Sequence, residues 1–172
     1  MNFLGDTVVA FPGRKPQQIG FTREELTRIL DKMASLRMNA VILQVRPQAD
    51  AVYRSRIEPW SPWLTGTMGR DPGYDPLAYC IQQAHARNIE VHAWFNPFRA
   101  HHSQGGPINE ASVINSKKNL SAVQLNKDGN WWLDPGNTEN QNCQLSDSEH
   151  CGIVTISFFK RMKKGNKLKV TT

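Results

Sequence analysis

The chain has no long apolar run. Nothing in its 172 residues approaches the roughly 18 consecutive apolar positions that a membrane-spanning helix needs. A secretory signal pattern is missing too: no basic residue precedes the short apolar stretch between Met1 and Gly13, and Asp6 interrupts it. Cysteine is scarce and odd in number, three in all, which argues against a disulfide framework. Cys80 falls in a helical pattern and reads as a core residue. Cys143, His150 and Cys151 are the remaining thiols and their nearest imidazole, but their spacing matches no strong zinc site. There is no phosphate loop, zinc finger or RNA-binding signature. Neither a metal nor a cofactor is expected.

Acid is absent from the last 13 residues. The formal net charge is +6, from 21 Lys+Arg against 15 Asp+Glu. All six excess charges lie in the tail: Lys160, Arg161, Lys163, Lys164, Lys167 and Lys169. The preceding 159 residues hold 15 basic and 15 acidic side chains and sum to zero. A protein that grips a phosphate backbone spreads its basic residues over a folded face. Here a neutral body precedes a basic end, so no specific nucleic-acid partner is expected. Proline stops at Pro135 and tryptophan at Trp132. We therefore read residues 1–139 as one folded body and 140–172 as a divergent tail, basic at 160–172.

The body carries a repeated pattern. Thr22 and Glu25 form a capping box. Leu26, Ile29, Leu30 and Met33 then follow at helical spacing. Asn39 suits the left-handed residue that ends a helix, and Ala40–Val45 reads as a buried parallel strand stopped by Pro47. The second round opens with Asp75-Pro76 as N-cap and first-turn proline. It continues through Leu77, Ile81, Ala84 and His85, stops at Asn88, and yields the strand Ile89–Phe95. Trp131–Leu133 predicts a third strand and Thr7–Phe11 an earlier one. Helix then strand, twice, predicts an α/β fold with parallel strands. The helix-to-strand turns are short, whereas the strands are followed by long segments, Arg46–Tyr74 and Asn96–Asn130. In β/α barrels the loops at the strands' C-terminal ends build the active site, so this asymmetry marks the functional face.

That face is rich in aromatic and hydrogen-bonding side chains. The strand ends read Gln44-Val-Arg46-Pro47-Gln48-Ala-Asp50, His92-Ala-Trp94-Phe95-Asn96-Pro97-Phe98-Arg99 and Trp132-Leu-Asp134-Pro135-Gly136. Sugar recognition uses this mixture: flat rings cover the apolar face of a pyranose while amide, guanidinium and carboxylate groups bond its hydroxyls. Several of these residues also have a structural reading. His92 reads first as a satisfied interior histidine. Arg46 and Arg99 either pair with Asp50 and Asp134 or face a ligand. Glu58 lies in a Pro/Trp-rich loop and reads as solvated. Gln44 and Asn96 need partners if they are buried.

Five blocks, in order, resemble the glycosyl hydrolase-like 10 family over residues 7–139. They are Phe21-Thr-Arg-Glu-Glu-Leu26 running to Pro47, Glu58-Pro-Trp-Ser-Pro-Trp-Leu-Thr-Gly66, Asp71-Pro-Gly-Tyr-Asp-Pro-Leu77, His92–Arg99 and Trp132–Gly136. The resemblance implies a TIM-barrel glycosidase fold and a carbohydrate substrate, with peptidoglycan glycan strands as one candidate. It implies export or lipid anchoring in bacteria, at odds with the missing signal pattern. Carried over by position, it puts Gln44, Arg46, Trp94, Asn96, Arg99 and Asp134 in a sugar cleft. The family pattern continues with an Asp-rich strand motif expected to supply the catalytic acids, and no such motif follows Glu139 here.

A full barrel takes at least about 200 residues, so three to four β/α units of a partial (β/α)8 barrel are expected. The reading is therefore a truncated glycoside hydrolase-like chain, inactive alone, with an open sheet edge that favours self-association. Two other readings stand beside it: a non-catalytic carbohydrate-binding module, and non-specific binding of anionic surfaces or nucleic acid by the tail.

Overall fold

The computed structural model describes residues 22–96, 98–116, 122–124, 129–134, 136–137 and 161–162. The strand expected at residues 7–11 and the pair Cys143 and Cys151 lie outside them.

Helix α1 (Arg23–Ser35) begins as its sequence dictates: Thr22 Oγ1 accepts from the Glu25 N–H at 3.1 Å. Its stripe of Leu26, Leu30 and Met33 is buried. The helix ends differently from expectation. The left-handed residue is Arg37, at φ 57°, and not Asn39. Met38 N–H bonds the Met33 carbonyl at 3.0 Å and Arg37 N–H the Ala34 carbonyl at 2.9 Å, so the helix closes with position 37 in the turn that leads to β1 (Ala40–Arg46). A short helix, α2 (Pro62–Thr65), sits in the segment after β1. Helix α3 (Pro76–Ala86) has Asp75 as its N-cap, accepting from Ala78 N–H at 2.9 Å, and Pro76 in its first turn. Asn88 takes the left-handed position, φ 59°, before β2 (Glu90–Phe95).

Strands β1 and β2 pair in parallel, with Ile42 beside His92 and Gln44 beside Trp94. Alternation sorts their side chains onto two faces. Val41, Leu43, Val45, Val91, Ala93 and Phe95 turn toward the helices and form the main core with Leu30, Met33, Leu77, Cys80 and Ala84. Cys80 is a buried free thiol, as its pattern indicates. Polar contacts brace α1 against α3: Thr27 and Tyr79 hydroxyls lie 2.7 Å apart, and Arg87 Nε donates to Asp31 at 2.7 Å. The opposite face, with Ile42, Gln44, His92 and Trp94, is half-buried.

The third expected strand forms, but with a different role. β5 (Trp131–Leu133) is the centre of a separate antiparallel sheet, flanked by β3 (Arg99–His101) and β4 (Ala122–Gln124). It is not a third parallel strand. β3 starts only a few residues after β2 ends, with no room between them for a crossover helix, and it pairs antiparallel with β5 rather than joining the parallel pair. Ala49, Ala100, Val113 and Leu133 form a small core under this sheet. The remaining elements are α4 (Val113–Ser116) and the two-residue β6 (Arg161–Met162). β6 pairs antiparallel with β2, Met162 opposite Val91, so part of the edge expected to lie open is covered from within the basic tail. Among the described residues the parallel α/β repeat occurs twice.

Arg37 is exposed and left-handed, a conformation that costs a side-chain-bearing residue about 1–2 kcal/mol. Arg37→Gly removes that strain against a smaller entropic loss. It is expected to raise stability by about 0.5–1 kcal/mol in urea denaturation; a loss of stability would show that Arg37 does something besides turn the chain.

Candidate functional site at the strand ends

The segment after β1 folds back as a shelf over the strand ends. Val52 N–H bonds the Val45 carbonyl at 3.0 Å, and Ala51 and Trp60 form a parallel bridge. Ala49, Ala51, Val52 and Tyr53 are buried in consequence.

Its anchor is Arg46, at the last position of β1, where the β1–β2 register shifts. Its side chain has no exposed surface. Nε donates to both Glu58 carboxylate oxygens, at 2.7 and 3.0 Å, and Nη2 lies 2.6 Å from Oε1. Nη1 donates to the Asn96 carbonyl at 2.6 Å, just past the end of β2. Glu58 was expected to be solvated; it is 8% exposed. The correction has a physical source. The shelf folds because a buried guanidinium requires an anion, and Glu58 is the carboxylate that reaches it. Burial pushes the Glu58 carboxyl up, with Arg46 opposing. Likewise, Arg46 does not pair with Asp50 as one reading had it.

Asn96 is clamped as well: its Nδ2 donates to the Pro47 carbonyl at 2.9 Å, and its N–H to the Arg46 carbonyl at 2.9 Å. This satisfies the amide that the sequence flagged as needing partners. Asp50 is fully buried and accepts from Gln48 N–H at 3.1 Å. Burial pushes its carboxyl up to about 6, although Arg46 and nearby donors pull the other way. Neither setting is legible in the amino-acid order, because the burial of both acids follows from how the segment after β1 folds back.

Gln44 and Trp94 stand side by side on the half-buried face of the parallel pair. Arg99 lies on β3 with its guanidinium carbon 5.1 Å from the Trp132 ring centroid on β5. Asp134 is exposed in the turn after β5, where Oδ1 accepts from Gly136 N–H at 2.7 Å. The six predicted residues thus divide. Gln44 with Trp94, and Arg99 with Trp132, lie on half-buried surfaces; Arg46, fully buried, and Asn96, half-buried, brace the strand ends; Asp134 lies in the turn after β5.

Gln48, His101 and His102 had not been singled out. Gln48 is fully buried, and its Oε1 accepts from His102 N–H at 2.5 Å. His102 Nδ1 accepts from Gln104 N–H, and its ring meets Trp63 edge-on at 5.7 Å. Burial lowers both histidines, and Arg99 lowers His102 further. The only signal available was the amide in the run after Arg46. His92 sits 3.6 Å from Glu90 on its own strand, in keeping with a structural role. Among the described residues no three His, Cys, Asp or Glu side chains gather closely enough to hold a metal ion. No helix there is long and apolar enough to cross a membrane. A cleft of about 490 Å³, lined by Arg23, Leu64, Arg70 and Tyr74 among others, touches none of the six predicted residues.

The α/β body, with two parallel strands backed by helices, is of the kind a glycosidase-like domain has. The chain belongs to the Glycosyl hydrolase-like 10 family, whose model matches residues 7–145. It is 48% identical to glycosyl hydrolase YngK of Bacillus subtilis over 91 residues, which are 53% of this chain and 18% of that protein. It is 39% identical to glycosyl hydrolase DigH of Escherichia coli K12 over 119 residues, 65% of this chain and 27% of that protein. The chain thus spans less than a third of either relative.

The raised Asp50 carboxyl fixes a pH dependence. Between its ordinary 3.8 and about 6, the folded state holds a proton that the unfolded chain releases. Stability from this group is therefore greatest at low pH and falls as pH rises through that window. Asp50→Asn keeps the acceptor and removes the charge. Its stability relative to the parent is expected to improve by about 2–3 kcal/mol between pH 4 and pH 8 in denaturant titrations. A difference independent of pH would contradict the assignment.

Proposed function

We propose that this chain supplies the sugar-binding floor of a glycoside hydrolase-like protein of the partial (β/α)8 barrel type, acting on bacterial glycan, with peptidoglycan glycan strands as the candidate substrate. The observation that carries this reading is the pairing of Gln44 with Trp94 on the half-buried face at the strand ends. An indole offers the flat apolar surface a pyranose stacks on, and an amide beside it offers a donor and an acceptor to hydroxyl or acetamido groups. Arg99 and Trp132 add a second such pair. Arg46 and Asn96 hold these surfaces in place from beneath. Family membership and the names of the relatives support the choice of a glycan.

Binding without turnover is the expected behaviour of this chain alone, which joins the binding-module reading to the hydrolase one. Glycoside hydrolysis uses two carboxyl groups flanking the scissile bond, one of them with a raised pKa. Among the described residues the two acids with raised pKa, Asp50 and Glu58, are buried, and Glu58 is locked to Arg46. Neither presents a carboxyl to a bound sugar.

Calorimetry with a β-1,4-linked N-acetylglucosamine hexasaccharide tests the reading. Saturable binding is expected, weakened about tenfold or more by Trp94→Ala, with no new reducing ends after prolonged incubation. Absence of binding by the folded protein would overturn the sugar-binding assignment, and release of reducing ends would overturn the inactive one.

A further inference from the structure

His102 follows β3 directly, and its contacts fix its place. Its N–H donates to Oε1 of Gln48, a fully buried residue of the shelf, at 2.5 Å. Its carbonyl accepts from Gly105 N–H at 2.8 Å. Its ring meets the Trp63 ring of α2 edge-on, with centroids 5.7 Å apart. The turn is closely packed: a β-carbon on Gly105 would lie 3.0 Å from His101 Cε1 and 3.2 Å from Gln48 Nε2, so only glycine fits there without displacing them. His102 is thus held through its backbone by the shelf and through its ring by α2.

One bond tells the two ring nitrogens apart. Nδ1 accepts from Gln104 N–H at 3.1 Å, so it carries the lone pair, and the proton of the neutral imidazole lies on Nε2. Burial and the Arg99 cation both disfavour a second proton on the ring, and the neighbouring His101 is itself kept toward the neutral form. Nε2 makes no hydrogen bond among the described residues, and it is not one of their buried polar atoms. A half-buried ring therefore offers solvent one neutral N–H donor, in a fixed tautomer, within electrostatic reach of Arg99.

We infer that His102 is a further binding residue of the strand-end face, donating from Nε2–H to an uncharged hydroxyl oxygen of the glycan. The inference rests on the glycan-binding reading above and adds to it a contact outside the Gln44–Trp94 and Arg99–Trp132 pairs. A neutral donor suits a hydroxyl, which brings no charge to be answered. The ring is already immobilised by Trp63 and by the Gln104 N–H, so little side-chain freedom is lost when the sugar binds.

The test uses the 172-residue protein with nitrogen-15 in its histidine rings, read by NMR at pH 7.5, His102 being assigned by its loss in His102→Gln. The free protein is expected to show the proton on Nε2 and none on Nδ1, and the Nε2 signal should move on saturation with the β-1,4-linked N-acetylglucosamine hexasaccharide. In calorimetry, His102→Phe keeps a ring against Trp63 but removes the donor, and should weaken binding about threefold to tenfold. His102→Gln carries an amide donor near the position of Nε2 and should recover part of that loss. A proton on Nδ1 in the free parent protein would overturn the inference without any variant. Parent-like affinity of His102→Phe, with Trp94→Ala weakened, would overturn it and leave the glycan-binding reading intact. Equal losses in His102→Phe and His102→Gln, with native near-UV circular dichroism, would overturn it too, assigning the ring to packing alone. If the hexasaccharide does not bind the folded parent, both readings fall together.

Discussion

A guanidinium with no exposed surface must be answered by charge and hydrogen bonds from within the protein. Arg46 is that guanidinium, and the organisation of the strand-end face follows from how it is answered. Removing two charges from water costs several kcal/mol each, and their attraction repays this only when the geometry is good and the donors are engaged. Here Glu58 engages one edge of the fork and the Asn96 carbonyl engages Nη1. One side chain therefore ties together the end of β1, the end of β2 and the segment that carries Glu58. The shelf of Ala49 to Tyr53 packs over the strand ends as a consequence, and Asp50 and Ser61 are buried with it.

The brace separates two kinds of polar residue that look alike in sequence. Arg46 and Asn96 spend their hydrogen bonds inside the protein. Gln44, Trp94 and Arg99 lie on half-buried surfaces beside them. A ligand face needs both, because stacking and hydrogen-bonding groups act only as well as their positions are fixed. The charge is divided as well: residues 1–159 sum to zero, while the six excess positive charges lie in residues 160–172.

Much of this was legible in the amino-acid order. The Thr22–Glu25 cap, the Asp75-Pro76 start, the left-handed Asn88 and both parallel strands are local features, and local chemistry decides them. The loop asymmetry singles out the face on which the proposed site lies, since long segments after strands and short turns before them need no partner to be recognised. What escaped was set by distant contacts. Glu58 sits in Glu-Pro-Trp-Ser-Pro-Trp, a composition that signals a solvated loop, and only Arg46, twelve positions earlier, makes it a core residue. Trp131–Leu133 reads as a strand from its residues, but its antiparallel partners β3 and β4 are a matter of topology. Arg37 rather than Asn39 takes the left-handed turn because the helix closes through the Met38–Met33 and Arg37–Ala34 backbone bonds, against residue preference.

The dependence of the whole face on one buried ion pair is tested most directly by a double-mutant cycle on Arg46 and Glu58, read by urea denaturation at pH 7.5. Arg46→Met and Glu58→Leu should each destabilise by about 3–5 kcal/mol, because each leaves the other charge buried and unpaired. The double variant should recover a large share of that loss, giving a coupling energy of about 2 kcal/mol or more. Single losses that simply add, with coupling under about 0.5 kcal/mol, would contradict the account and reduce the pair to two independent packing residues.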